Sequence, residues 1–231
     1  MSLTNRKGQL SMEINAAAIW LNSAFASFDL GTAKFVHRLA EFSSDFFTPF
    51  FKSVSFLAYG GILLILLSLL LILNQPTRRY GTAMLLALGF GVVLTNCVVK
   101  ILIARPRPYI DQASEYYRMW LTVGQATESD KSFPSGHVTA ATAAALAFFL
   151  SSEKKQITWL SLLFPLAMCV SRIYLVVHYP SDVLGGVLVG AISGICGVLT
   201  MRILPKKYYE LNLLPPGTGR GRKPKGGKHC R

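Results

Sequence analysis

The sequence predicts an all-α fold, a polytopic transmembrane helical bundle, on two observations. Hydrophobic residues make up 52% of the 231 residues, charged residues only 15%, and the mean hydropathy is +0.41, which is typical of a membrane protein. The apolar residues also fall into long runs without charges, and about 20 such residues cross the hydrocarbon core of a bilayer. These runs give the positions of the helices.

Five runs predict five membrane spans. They lie at residues 53–77, 80–99, 133–152, 156–178 and 183–201. Because the first strong run starts only after residue 52, we expect permanent spans and no cleaved amino-terminal signal.

Two segments of different composition flank this membrane-embedded core of residues 52–204. Residues 1–51 mix large apolar side chains with charged ones, which predicts amphipathic helices at the membrane interface. The pattern leaves open a sixth span at residues 14–30, although Asn15 and Asn22 dilute its apolar character. Residues 205–231 are rich in Gly, Pro, Lys and Arg, which predicts a basic disordered tail.

The formal net charge of +13 raises the question of an anionic partner. The basic residues lie outside the apolar runs, many of them in the tail, so we expect anionic lipid headgroups as partners of the tail and no nucleic acid. Three of the four cysteines lie in predicted spans and the fourth in the tail, which indicates packing roles. The pattern does not indicate an oligomeric state.

The distribution of Lys and Arg predicts the orientation. With five spans, the basic loops at residues 74–80 and 151–156 and the tail all lie on one side, which the positive-inside rule makes cytoplasmic. Residues 100–132, the start of the third span and the turn at His178 then lie on the extracytoplasmic face.

Polar residues gather on that second face. Lys100 lies near the end of the second span, and Arg105 and Arg107 follow it. Ser135 is positioned as a helix N-cap, with Gly136 open to a ligand and His137 in the first turn, and such a helix N-terminus favours anions. The next two spans meet at this face and add three more polar residues, namely Arg172, His178 and Asp182.

Taken singly, these residues also have structural explanations. Lys100 and Arg105 could snorkel to the interface, and Arg172 could form an ion pair with Asp182. His178 and Asp182 could be metal ligands, but the face offers no carboxylate cluster to complete a site, so we expect no metal. Their convergence on one face favours an anion-binding catalytic site.

Three motifs occur in order: K-x6-R-P at residues 100–108, P-S-G-H at 134–137, and S-R-x5-H-x3-D at 171–182. Together they resemble the signature of the type 2 phosphatidic acid phosphatase superfamily, integral-membrane lipid phosphatases that include bacterial phosphatidylglycerophosphate and undecaprenyl-diphosphate phosphatases. The resemblance covers residues 100–182 directly and implies an all-helical membrane core.

The resemblance also implies a mechanism. His178 would attack phosphorus and form a phosphohistidine intermediate, Asp182 would orient its ring, and His137 would act as general acid and then base. The phosphoryl group would be bound without a cofactor or metal by Lys100, Arg107, Ser135, Gly136 and Arg172.

The substrate implied is a phosphorylated membrane lipid, and the sequence does not separate phosphatidic acid, phosphatidylglycerophosphate and a polyprenyl diphosphate. An alternative is a non-catalytic scaffold or transporter that binds anionic lipids, although the histidine pair argues against it. The aromatic loop at residues 109–131 could either cover a lipid headgroup or pack on the protein itself.

Overall fold

The computed structural model describes residues 15–211 and residue 213, and these residues form helices and connecting turns with no strand among them. The predicted all-α fold is confirmed. The α-helices are α1 (Ala16–Ala24), α2 (Ala26–Leu57), α3 (Ile62–Leu73), α4 (Arg78–Val92), α5 (Lys100–Ile103), α6 (Glu115–Thr122), α7 (Gly136–Ser151), α8 (Lys155–Thr158), α9 (Leu163–Tyr174), α10 (Pro180–Ile203) and α11 (Lys206–Glu210). A π-helical segment (Val93–Val99) joins α4 to α5, and 3-10 turns lie at Tyr59–Gly61, Gln75–Thr77 and Trp159–Leu162.

The helices account for the predicted spans. Four helical segments are long and apolar enough to cross a membrane, and α7 is a shorter apolar helix. The four are Ala26–Leu73, Gln75–Ile103, Lys155–Tyr174 and Pro180–Ile203. Many large apolar side chains, such as Leu66 and Leu188, lie exposed on their outer surfaces, where lipid tails would surround them. The protein is therefore a multi-pass membrane protein.

Helix α10 lies at the centre of the bundle, because its glycines let neighbouring backbones approach closely. A Cβ added at Gly190 would lie 2.7 Å from Thr142 Cβ on α7, and one added at Gly197 would lie 2.6 Å from the backbone nitrogen of Ala87 on α4. Small residues at such crossings are the usual way in which membrane helices pack tightly. This packing fixes the start of α10 beside the start of α7.

The basic segments share one end of the bundle, as the span count predicts. Arg79 Nε donates to the carbonyl of Ser151 at 3.1 Å, and Arg78 Nη1 donates to the carbonyl of Tyr208 at 3.1 Å. The second contact involves α11, so the first residues of the segment predicted to be disordered instead form a helix docked on α4. The rest of that predicted tail, apart from residues 211 and 213, lies outside the described residues.

The amino-terminal region packs at the opposite end of the bundle. Asn15 Nδ2 donates to the carbonyl of Leu102 at 2.6 Å, and the backbone N–H of Ser181 donates to the Asp29 carboxylate at 2.7 Å. Both ends of residues 15–29 therefore contact the same end of the bundle, which favours an interfacial segment over a sixth span.

The predicted boundary between this region and the core, at residues 51 and 52, lies within α2. Helix α2 continues past residue 51 to Leu57, and α3 begins at Ile62. Gly60 and Gly61 lie between them with φ of +58° and +72°, backbone values that side-chain-bearing residues rarely adopt. The two glycines separate α2 from the strongly apolar helix α3.

Candidate active site

A cavity of about 350 Å³ opens at the end of the bundle where the amino-terminal region packs. Its polar wall comes from α5, the chain after it, α7 and the turn between α9 and α10: Lys100, Arg107, Gly136, His137 and His178. Its other wall includes the apolar side chains of Ile65, Leu88 and Val92 from the spanning helices α3 and α4. The cavity therefore joins a cationic pocket to an apolar surface.

Lys100 and Arg107 face each other across one carboxylate. Lys100 lies in the last turn of the second span, and the chain turns sharply at Ala104, with φ of +49°, to bring Arg107 back. Both cations form ion pairs with Asp130. A Cβ added at Gly136 would lie 3.6 Å from Lys100 Nζ, so the ammonium lies close to the N-terminus of α7.

The N-terminus of α7 presents polar atoms that lack partners. Ser135 occupies the N-cap position, as predicted, but its Oγ makes no capping hydrogen bond. Among the described residues, neither Ser135 Oγ nor His137 Nε2 has a hydrogen-bond partner, although both atoms are buried. Buried polar groups are normally paired, and His137 lines the cavity, so its unpaired Nε2 indicates a place for a ligand atom.

The contacts of His178 assign its tautomer. Arg107 Nη1 lies 3.1 Å from His178 Nε2, and a guanidinium can only donate, so Nε2 accepts and Nδ1 carries the proton. Burial lowers the pKa of His178 well below its usual value, and the charges of Arg107, Arg172, His137 and Lys100 lower it further. The ring is therefore neutral near pH 7, with the Nε2 lone pair directed toward the cations.

Asp182 lies behind His178 without a direct hydrogen bond to it. Its Oδ2 is 3.8 Å from His178 Nδ1, which is longer than a hydrogen bond. Ser132 Oγ donates to Asp182 Oδ2 and lies 3.5 Å from His178 Nδ1, where it can accept the ring proton. Ser132 thus connects two residues that the sequence predicts to be in direct contact.

Arg172 pairs with Glu128, and its second hydrogen bond goes to Ser55 on α2. The alternative of an ion pair between Arg172 and Asp182 is therefore wrong, because Asp182 pairs with Arg105 instead. Arg172 lies behind Glu128, whose side chain lines the cavity. Of the eight predicted site residues, five line the cavity, while Ser135, Arg172 and Asp182 lie behind its wall.

The loop at residues 109–131 packs on the protein itself, because the Tyr116 ring lies against the Tyr179 ring with 5.1 Å between centroids. The Tyr109 ring stacks on Trp120 with 5.0 Å between centroids, and the Tyr109 hydroxyl donates to the carbonyl of Glu128 at 3.1 Å. These contacts hold Glu128 and Asp130 over the cations. Sequence reasoning missed both carboxylates and Ser132; their one sequence signal was their position just before P-S-G-H.

Comparison with known families agrees with this geometry. A sequence model of the PAP2 superfamily matches residues 77–208, a range that contains all three motifs. The chain belongs to the PAP2 superfamily. At that level it is a membrane-embedded lipid phosphatase.

Individual relatives of this PAP2 protein extend the match. The chain is 31% identical over 163 residues to undecaprenyl-diphosphatase BcrC of Bacillus subtilis, and the matched region covers 70% of this chain and 78% of the relative. It is 37% identical over 133 residues to decaprenylphosphoryl-5-phosphoribose phosphatase of Mycobacterium tuberculosis, and here the matched region covers 56% of this chain and 67% of the relative. The crystal structure of Aquifex aeolicus LpxE is similar in fold, with a TM-score of 0.60 and 24% identity over 74% of this chain and 95% of that one.

Proposed function

We propose that this PAP2 protein removes the terminal phosphate of a polyprenyl diphosphate through a phosphohistidine formed on His178. The observation that carries the proposal is the contact between Arg107 Nη1 and His178 Nε2. It shows that the lone pair of Nε2, the proposed nucleophile, points toward the cations of the cavity. This contact supports the proposal because His178 lies beside two of the proposed phosphate-binding cations, Lys100 and Arg107, in the same cavity.

The reaction takes two displacements. Nε2 of His178 attacks the terminal phosphorus, the bond to the bridging oxygen breaks, and the lipid monophosphate leaves with a proton from His137. A water molecule then gives a proton to His137 and attacks the phosphohistidine, which releases inorganic phosphate. Positive charge that develops on the His178 ring is stabilised by Asp182 through Ser132.

The phosphoryl oxygens would take over contacts that carboxylates make in the structure. Asp130 forms ion pairs with Lys100 and Arg107, and Glu128 forms one with Arg172. An incoming phosphate brings more negative charge and so competes for the same donors. The unpaired Ser135 Oγ lies behind the cavity wall beside Gly136, where it would add a further donor to a phosphate bound at the N-terminus of α7.

A polyprenyl lipid is the substrate class that two observations support. The apolar wall formed by Ile65, Leu88 and Val92 would accommodate a hydrocarbon chain beside the cations. The relatives named above act on undecaprenyl diphosphate and on a decaprenylphosphoryl sugar phosphate, both of them polyprenyl lipids.

The substrate assignment is tested by phosphate release from purified protein in detergent. We expect faster release from undecaprenyl diphosphate than from phosphatidic acid or phosphatidylglycerophosphate. A preference for either glycerolipid would reject the polyprenyl assignment. Binding of all three without release would instead support the scaffold alternative.

The mechanism is tested by His178→Ala. This variant should release no phosphate yet still bind orthovanadate, because the cations remain. His137→Ala should lose most of the activity, and His37→Ala, a control on α2, should keep it. Substantial turnover by His178→Ala would reject His178 as nucleophile.

Metal independence forms part of the proposal, since Lys100, Arg107 and Arg172 supply the charge that a metal ion supplies in kinases. Phosphate release should persist in excess EDTA. Complete loss with EDTA and recovery with one added divalent ion would overturn this part.

We further propose that the cavity faces the extracytoplasmic side, because the basic segments lie at the other end of the bundle. In a variant without native cysteines, Gln112→Cys should react with a membrane-impermeant maleimide in intact cells, and Gln156→Cys only after lysis. Both positions are exposed, at opposite ends of the bundle. The reverse labelling would place the substrate in the cytoplasmic leaflet.

A further inference from the structure

Asp29 on α2 lies outside the residues that match the PAP2 superfamily, yet it reaches the candidate active site. It is 1% exposed. Its carboxylate accepts the Ser181 backbone N–H at 2.7 Å, the Ser181 hydroxyl at 2.7 Å and Arg105 Nη2 at 3.0 Å. A buried carboxylate is tolerated only when it is paired in this way, and here every partner lies next to Asp182.

Arg105 connects Asp29 to Asp182. Its Nη1 donates to Asp182 Oδ1 at 2.6 Å and to Ser181 Oγ at 2.7 Å, while its Nε donates to Asn22 Oδ1 at 2.8 Å. The guanidinium also lies 3.9 Å from the centre of the Tyr179 ring. Arg105 is 1% exposed and its N–H groups are used on protein atoms, so its role differs from that of the cations that face the cavity.

One guanidinium is therefore shared between two carboxylates. Because Nη2 is held by Asp29, the ion pair with Asp182 runs through Nη1 to Oδ1. Oδ2 of Asp182 keeps its contacts with Ser132 Oγ and with the Tyr179 N–H at 2.9 Å, on the side of His178. The cluster of Asp29, Arg105 and Asp182 carries a net charge of about −1 when all three are ionised.

We propose that Asp29 is a positioning residue for the reaction: by holding Arg105 and Ser181, it keeps Asp182 oriented toward His178 and leaves the cluster with a net negative charge there. The proposal rests on His178 as nucleophile. Without the Asp29 charge, the Arg105 cation is balanced by Asp182 alone, and less negative charge remains to stabilise the His178 ring as it becomes positive. The amino-terminal region then completes the active site rather than only anchoring the protein.

The test compares Asp29→Asn with Asp45→Asn, which removes an exposed carboxylate from the same helix. Asp29→Asn should lower kcat about tenfold with KM within about twofold, an effect usual for residues coupled through one hydrogen-bond network. The acid limb of its kcat/KM profile should also move to lower pH, because loss of a negative charge makes His178 harder to protonate. Asp45→Asn should match the wild type in both respects.

A second measurement does not depend on turnover. The ring nitrogens of His178 can be followed by ¹⁵N NMR in detergent, with the resonance assigned by its loss in His178→Ala. Its titration midpoint should fall in Asp29→Asn and stay constant in Asp45→Asn. If the wild type hydrolyses no lipid phosphate, the proposed function fails, and this titration alone decides the role of Asp29.

Unchanged kcat and an unchanged His178 titration in folded Asp29→Asn would overturn the proposal. If Asp29→Asn does not fold, Asp29→Glu decides, because it keeps every charge and displaces the carboxylate from Arg105 and Ser181. It should lower kcat about threefold, with KM and the acid limb unchanged. A kcat equal to that of the wild type would then reject the positioning role.

Discussion

The cations around the candidate active site form two clusters whose carboxylate partners differ in exposure. In the cavity cluster, Asp130 and Glu128 are 46% and 22% exposed and lie on a loop. In the buried cluster, the side chains of the Arg105 partners Asp29 and Asp182 are 2% and 0% exposed, and both residues lie on helices. A partly exposed carboxylate can return to water at a lower cost than a fully buried one. The first cluster suits exchange with a substrate phosphate, and the second suits a fixed framework.

The largest effect is expected when the buried cluster is broken. Arg105→Met leaves Asp29 and Asp182 without their shared cation, and removing one partner of a buried ion pair typically costs about 3–5 kcal/mol. We expect a large fall in the midpoint of thermal unfolding in detergent. Arg118→Met, an exposed control on α6, should change stability by no more than about 0.5 kcal/mol. Equal midpoints for the two variants would show that the buried cluster is not a framework.

A smaller effect is expected in the cavity cluster, where a substitution should strengthen the binding of a phosphate analogue. Asp130→Asn removes a negative charge that competes with phosphate for Lys100 and Arg107, so orthovanadate should inhibit about three- to tenfold more tightly, or roughly 0.7–1.4 kcal/mol. The inhibition constant measures this directly. Asp111→Asn, an exposed control in the same loop, should leave it unchanged. Weaker inhibition of Asp130→Asn would mean that Asp130 organises the cations and does not compete for them.

The smallest effect concerns pH. Burial raises the pKa of Asp130, but the hydrogen bond and charge of Lys100 and the contacts with Arg107 outweigh burial and hold the pKa below its usual value. A depressed pKa keeps the carboxylate ionised above about pH 4, and its charge is lost only as pH falls through that lowered value. The ratio of orthovanadate affinities of Asp130→Asn and wild type should therefore change by less than about twofold between pH 5 and pH 8. A ratio that approaches one near pH 5 would contradict the ion pairs of the cavity cluster.

Sequence reasoning succeeded where chemistry and spacing act locally. The apolar runs gave the spans, because a bilayer imposes one length on every crossing helix. The P-S-G-H motif gave the N-terminus of α7. Reasoning from the sequence was weaker at the amino terminus, where Asp29 looked like one charge among several on an interfacial helix.

The same limit explains the carboxylates of the 128–130 loop. Glu128 and Asp130 are about 30 residues from Lys100 and more than 40 from Arg172 in the chain, and no periodic pattern relates them. Their pairing depends on how the stacked rings of Tyr109 and Trp120 fold the loop back over α7. Composition alone could not place them against cations.

Hydropathy and motif spacing are local properties of the chain, so they predict the membrane class, the spans, the superfamily signature and the end of the bundle that carries the polar residues. Tertiary structure alone decided which charges meet: Arg105 with Asp29 and Asp182, Lys100 and Arg107 with Asp130, and Arg172 with Glu128. Ion pairing depends on distance in space and on burial, and both are fixed only when helices far apart in the chain pack together.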